Sequence, residues 1–123
     1  MINSSNVLVQ PSNRGISRIK LNEPSTYNAL SLTTLNSLIK SFKNLNDDKN
    51  TKVIIIEGLG KGFCAGHNLK EVRSLKGKSK YLKLFNLCSE LMINIVNNNK
   101  PVIAKVHGAA FAAGCQLVAS CDL

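Results

Sequence analysis

Two segments of this 123-residue chain repeat one arrangement: a short apolar run, a loop of small residues, then a helix-like stretch. The first runs through Val53-Ile54-Ile55-Ile56, then Gly58-Leu59-Gly60-Lys61-Gly62-Phe63-Cys64-Ala65-Gly66, then Asn68 onward. The second runs through Val102–Val106, then the small residues from Gly108 to Gly114, then Cys115 onward. Each apolar run reads as a strand of a parallel sheet, buried on both sides. Glycines at the strand ends bend the chain sharply or let a ligand approach the backbone. In α/β folds ligands bind at such C-terminal strand ends. Two loops of this kind can aim two main-chain N–H groups at one oxygen, and a following helix adds partial positive charge. Facing each other, they can form an oxyanion hole. Simple turn sterics is the other reading, and the residues alone leave both open. Neither loop reads as GxGxxG after a strand or as GxxxxGK[ST], which disfavours a dinucleotide or Walker-type phosphate site.

The remaining elements follow from periodicity. Val7–Val9 and Ile16–Leu21 read as a β-hairpin around the turn cluster Pro11–Gly15. Ser31 reads as the N-cap of a helix whose Leu32, Leu35, Leu38, Ile39, Phe42 and Leu45 form one face. Asn68–Arg73 suggests a short helix or turn, and the basic stretch Leu75–Ser79 a mobile link. From Lys80 a second long helix places Tyr81, Leu84, Phe85, Cys88, Leu91, Met92, Ile95 and Val96 on its apolar face. Cys115–Ser120 reads as a further helix. Cys121-Asp122-Leu123 resembles the first residues of another strand, so the sequence reads as cut rather than finished.

Composition narrows the function classes. Hydrophobic residues at 44% and charged residues at 19% fit one globular unit. No apolar run approaches the roughly 18 residues of a bilayer span. The first six residues carry no Lys or Arg and lead into no apolar stretch, so no targeting segment is visible and the chain is expected in the cytoplasm, with the mitochondrial matrix as alternative. The net charge of +9 suits an anionic ligand. Only six aromatics accompany it, which argues against a nucleic-acid reader. Cys64, Cys88, Cys115 and Cys121 show no C-x-x-C spacing; they read as buried, reduced thiols, with no metal site expected. His107 reads as a partner for loop backbone.

Three stretches together resemble the crotonase (enoyl-CoA hydratase/isomerase) superfamily. Gly62-Phe63-Cys64-Ala65-Gly66-His67-Asn68-Leu69-Lys70-Glu71 is similar to its first signature. Lys100–Gly108 followed by Ala112-Ala113-Gly114-Cys115-Gln116-Leu117 is similar to its second, and Asn28-Ala29-Leu30-Ser31 fits the segment before the first long helix. The run Gly114–Ala119 followed by Ser120-Cys121-Asp122 is similar to one particular group within the superfamily.

The resemblance implies an α/β fold, a crotonase-like spiral of ββα repeats that stops after the second oxyanion-hole helix. Residues 1–123 then form the N-terminal half of a crotonase-like domain, with the C-terminal half absent. The implied ligand is an acyl-CoA thioester, with coenzyme A as part of the substrate and no other cofactor, and the implied whole protein is a homotrimer or hexamer. The oxyanion hole falls on the main-chain N–H groups of His67 and Ala113, so the His67 side chain reads as incidental. Ala65, Asn68, Leu69 and Lys70 match the strip along the CoA part, and Tyr27 and Ala29 the loop near its phosphates. Gln116 stands where hydratases carry their first Glu; an amide cannot act as a general base at neutral pH, so hydration is the reaction least expected. The alternative is a non-catalytic or RNA-binding crotonase-fold protein, the latter through Lys40, Lys43 and Lys49 on the first long helix.

Overall fold

The computed structural model describes residues 6–123; residues 1–5, in the stretch read for a targeting segment, lie outside the described residues. Strands β1 (Val7–Asn13) and β2 (Ile16–Leu21) form the expected antiparallel hairpin. Its turn is narrower than the Pro11–Gly15 cluster suggested. Arg14 and Gly15, with φ of 52° and 86°, supply the two positive dihedrals that match the twist of paired strands. Pro11 stays inside β1 because β1 is an edge strand, where a missing N–H costs no ladder bond, and the register is irregular between Gln10 and Asn13.

Strands β3 (Val53–Gly58) and β4 (Val102–Lys105) add in parallel, giving the order β1-β2-β3-β4. Helix α1 (Leu32–Asp47) connects β2 to β3. Helices α2 (Leu69–Ser74) and α3 (Lys78–Val96) connect β3 to β4, and α4 (Ala113–Ser120) follows. One core joins Val7, Ile19, Leu21, Ile54, Ile56 and Val102 of the sheet to Leu35, Leu38, Phe42, Leu84, Leu91 and Ile95 of the helices.

Burial on both sides of β3 is not what this chain has. Ile54, Ile56 and Gly58 are buried, while Val53, Ile55 and Glu57 are only partly covered. The helices cover one face. On the other, Glu57 lies 3.5 Å from Arg18, 3.7 Å from Lys20 and 3.6 Å from Lys105. An unbroken β-branched run cannot tell one covered face from two. The second strand also stops at Lys105, leaving Val106 exposed.

Ser31 caps α1 as expected, its Oγ accepting from Thr34 N at 3.1 Å. Leu35, Leu38, Ile39, Phe42 and Leu45 are the buried face; fully burying each such side chain is worth about 1.5–3 kcal/mol. Lys40 and Lys43 are exposed, but Lys49 lies past the helix end rather than on the helix. Helix α3 begins before Lys80 and takes in Lys78 and Ser79, so the basic link is shorter than expected, and Tyr81 Oη donates to Leu75 O at 3.1 Å. Leu84, Cys88, Leu91, Met92 and Ile95 are buried as expected. Phe85 and Val96 are not, because each sits one step round the helix from a buried neighbour, and Leu82 and Ile93 are exposed beside them.

Helix α4 starts at Ala113, two residues ahead of the expected Cys115. After it the chain runs back along β4: Asp122 N donates to Val102 O at 2.9 Å, and Ala104 N to Leu123 O at 2.7 Å. Among the described residues no helix is long and apolar enough to cross a membrane.

Candidate active site

The two glycine-bearing loops lie side by side and are stitched together through their main chains. Phe63 N and Cys64 N donate to Ala109 O at 2.9 and 3.1 Å, and Phe111 N donates to Cys64 O at 3.0 Å. Gly66 shows why this approach needs a residue without a side chain. Its φ is +92°, and a Cβ there would meet Phe111 O at 2.9 Å and Ala113 N at 3.3 Å. Ala112 takes a φ of 50° just before α4, a conformation rare for alanine and held by these contacts.

A third segment locks onto the pair. Ala65 N donates to Tyr27 O at 2.9 Å, and Leu30 N to Gly66 O at 2.7 Å. Asn28 is the centre of the lock. It is buried, with φ of 56°, a conformation asparagine tolerates better than most residues. Its Nδ2 donates to Leu59 O at 2.9 Å and to Gly62 O and Phe63 O at 3.1 Å, while its Oδ1 accepts from Glu23 N at 2.8 Å. Sequence reading placed Asn28 within a motif but gave it no role; its signal was an Asn in a polar loop that also contains Pro24.

These segments frame a cleft of about 530 Å³ lined by Ser25, Thr26, Ala29, Ala65, His67, Asn68, Leu69, Lys70 and Ala112. Six of the residues singled out in the sequence therefore meet there. Ser25 and Thr26 are additions that no motif announced, and Ala112 lay within the second signature without a role assigned to it. Tyr27 lines a smaller adjoining hollow of about 180 Å³ with Ala65, Ala109 and Phe111.

The main-chain N–H groups of His67 and Ala113 make no hydrogen bond to protein among the described residues. Ala113 opens α4, where the first N–H groups of a helix have no internal partner. Gln116 is exposed, its main-chain N donating to Ala112 O at 3.0 Å, and it is not among the residues lining the cleft.

The imidazole of His67 is half-buried and meets the Phe85 ring edge-on at 5.3 Å. Its Nδ1 is enclosed without a hydrogen-bond partner. Burial holds the ring below the usual histidine range, partly offset by the Leu30 main chain and by Glu71. Asn68 caps α2, its Oδ1 accepting from Glu71 N at 3.1 Å, and Glu71 in turn accepts from Leu32 N at 2.8 Å, tying α2 to the start of α1. His107 Nε2 sits 2.7 Å from Gly60 O, the loop-backbone contact expected of it.

The thiols divide. Cys64 and Cys88 are buried, Cys121 is half-buried, and Cys115 is exposed in the first turn of α4, against expectation: the Ala/Gly-rich run around it is a rim, not a core. Burial pushes Cys64 and Cys121 up to about 11. No cluster of three metal-ligating side chains occurs among the described residues.

Residues 11–123 match the family described as Enoyl-CoA hydratase/isomerase. The chain belongs to that family. A mitochondrial enoyl-CoA hydratase domain-containing protein 3 from Xenopus laevis is 50% identical over 109 residues, covering 89% of this chain and 37% of that protein. The human protein of the same name is 47% identical, covering 89% and 36%. This is the group that the run Gly114–Asp122 resembles. Among solved structures, an enoyl-CoA hydratase from Mycobacterium smegmatis superposes with a TM-score of 0.94 at 43% identity, covering 98% of this chain and 47% of that one. The human protein superposes at 0.90 with 42% identity, covering 96% and 46%. The fold is thus the crotonase fold, and this family member spans less than half the length of the relatives it matches.

Proposed function

We propose that the chain binds acyl-CoA thioesters and stabilises a thioester enolate, with the oxygen held between the main-chain N–H groups of His67 and Ala113. One observation carries this reading. Two donors without protein partners sit on two loops that are bonded to each other beside a cleft. Such preorganised donors stabilise a developing oxyanion because they need no reorientation during the reaction. Ala65, Asn68, Leu69 and Lys70 run along the CoA portion, with Tyr27 and Ala29 near its phosphates; coenzyme A enters as part of the substrate and no further cofactor is required. Hydration is not the favoured outcome, because Gln116 brings no carboxylate and is exposed outside the cleft. Crotonyl-CoA hydration, followed by loss of its conjugated-enone absorbance, is expected to be negligible. Membership of the family supports a trimeric or hexameric whole protein, and the names of the relatives favour the mitochondrial matrix over the cytoplasm.

The decisive test uses butyryl-CoA labelled with ¹³C at the thioester carbonyl. Binding to the wild-type chain is expected to shift the carbonyl signal, as two hydrogen bonds polarise it. Ala113→Pro removes one donor at a first-turn helix position that accepts proline, so the fold is expected to persist. The shift is expected to shrink, and any enolate chemistry to fall by ~10²-fold or more. An unchanged shift and unchanged turnover in a folded Ala113→Pro variant would refute the assignment.

A further inference from the structure

We propose that the His67 imidazole is the base that removes an α-proton from an acyl-CoA thioester in this cleft. The inference rests on the reading above and adds to it: the same residue supplies an oxyanion donor through its backbone and the base through its side chain.

The cleft itself selects the candidate. Of the residues that line it, only His67 and Lys70 titrate. Lys70 is exposed, and an ammonium offers donors and no acceptor. Gln116 is absent from the lining. The two ring nitrogens of His67 also differ. Nδ1 is enclosed without a hydrogen-bond partner, and because His67 lines the cleft we assign Nε2 as the nitrogen that serves it. The edge-on contact with Phe85 at 5.3 Å fixes the ring plane. A thioester oxygen held by His67 N lies within one residue's reach of this ring, and the α-carbon is two bonds from that oxygen.

The charged and polar groups around the ring suit a base. From α2 come Glu71, which favours the imidazolium, and Lys70 beside it on the cleft wall. From α3 comes the Phe85 ring, and from the segment before α1 the Leu30 main chain, which favours a proton on the ring. We assign the resting proton to the enclosed Nδ1, leaving the Nε2 lone pair toward the cleft. Burial keeps the ring neutral, and therefore able to accept a proton, at physiological pH.

The step balances without any co-reactant. The Nε2 lone pair takes the α-proton, and the C–H electron pair becomes the carbon–carbon π bond of the enolate. The carbonyl π pair moves to oxygen, where the His67 and Ala113 N–H groups hold the charge. The imidazolium then returns the proton to the α-carbon, or to the γ-carbon of a 3-enoyl thioester, which shifts the double bond. Nothing is oxidised or reduced. The chemistry is proton exchange and double-bond isomerisation on an enolisable acyl group.

The experiment incubates the 123-residue chain with butyryl-CoA in D₂O and follows deuterium entering the α-carbon by ¹H NMR. The ¹³C carbonyl shift and butyryl-CoA affinity are read in parallel. His67→Gln keeps the backbone donor and removes the base. Expected results are affinity within about twofold, a retained carbonyl shift, and α-exchange lower by ~10²-fold. Wild-type exchange is expected to rise with pH through the depressed His67 titration and then level off, a limb the variant lacks. Exchange within about threefold of wild type in His67→Gln would overturn the proposal, as would a wild-type chain that polarises the carbonyl but exchanges no α-proton. If His67→Gln does not fold, the wild-type profile decides, and exchange independent of pH between about 5 and 8 refutes the base. An unshifted carbonyl in the wild type is a different failure: it removes the oxyanion reading first and this one with it.

Discussion

Replacing Asn28 by alanine tests whether the three-segment lock is what builds the site. The Asn28 amide has two N–H groups for three carbonyls, at 2.9, 3.1 and 3.1 Å, and its oxygen accepts from Glu23 N at 2.8 Å. Truncation thus removes the equivalent of two donated bonds and one accepted bond, all around a residue that is 1% exposed. At about 1 kcal/mol or more for each buried group left unsatisfied, the loss is about 3 kcal/mol. Alanine at a φ of 56° adds about 1 kcal/mol, for a total near 4 kcal/mol. Asn28→Gly relieves the dihedral but not the lost bonds, so it is expected about 1 kcal/mol above alanine. Asn28→Asp keeps an acceptor for Glu23 N but turns a carboxylate toward three carbonyl oxygens, and it is expected to be the least stable of the three. Urea unfolding followed by far-UV circular dichroism, at one protein concentration for all variants, measures the series. A loss below 1 kcal/mol for Asn28→Ala, or aspartate equal to wild type, would refute the claim that Asn28 holds these loops.

Three further outcomes follow. At pH 8, iodoacetamide is expected to label Cys115 first and to spare Cys64 and Cys121, whose thiols are pushed up to about 11, and mass spectrometry of the labelled peptides checks the order. Because those two thiols are raised in the fold above their ordinary value of 9.0, the protonated forms favour the folded chain, and stability is expected to fall as pH rises from 9.0 to about 11. The 123-residue chain is also expected to associate through Phe85, Ile93, Val96 and Leu123, and Ile93→Glu is expected to shift sedimentation toward the monomer.

Periodicity made α1 legible almost residue by residue, because one wide apolar face against one core gives an unambiguous stripe. It misassigned Phe85 and Val96, because α3 carries further exposed apolar residues beside its buried face, and sequence alone does not say which positions meet the core. The β-branched run of β3 announced a strand but not that only one of its faces is covered. The candidate site was legible wherever it is built from backbone. Glycines at 58, 60, 62, 66, 108 and 114 mark where chains approach, and motif resemblance placed His67 and Ala113 on those approaches. Asn28 escaped because the three carbonyls it holds are more than thirty residues away, which no local spacing reveals.

The proposed oxyanion donors are main-chain N–H groups, which constrains the sequence in an unusual place. Gly66 and Asn28 are held to their identities by geometry: one by a Cβ that would sit 2.9 Å from Phe111 O, the other by four hydrogen-bonding partners. At positions 67 and 113 every residue except proline offers the same N–H, so the donor does not itself select the side chain, although burial keeps the side chain at 113 small. The side chain at 67 is therefore free to be chosen for chemistry in the cleft without disturbing the donor beneath it. On the proposed reading the side chain at 67 sets the chemistry, while residues such as 28 and 66 hold the loops that carry the two donors. Exchanging the side chain at 67 is then expected to change the chemistry while the loops persist, and exchanging 28 or 66 to lose the fold of the loops and the chemistry together.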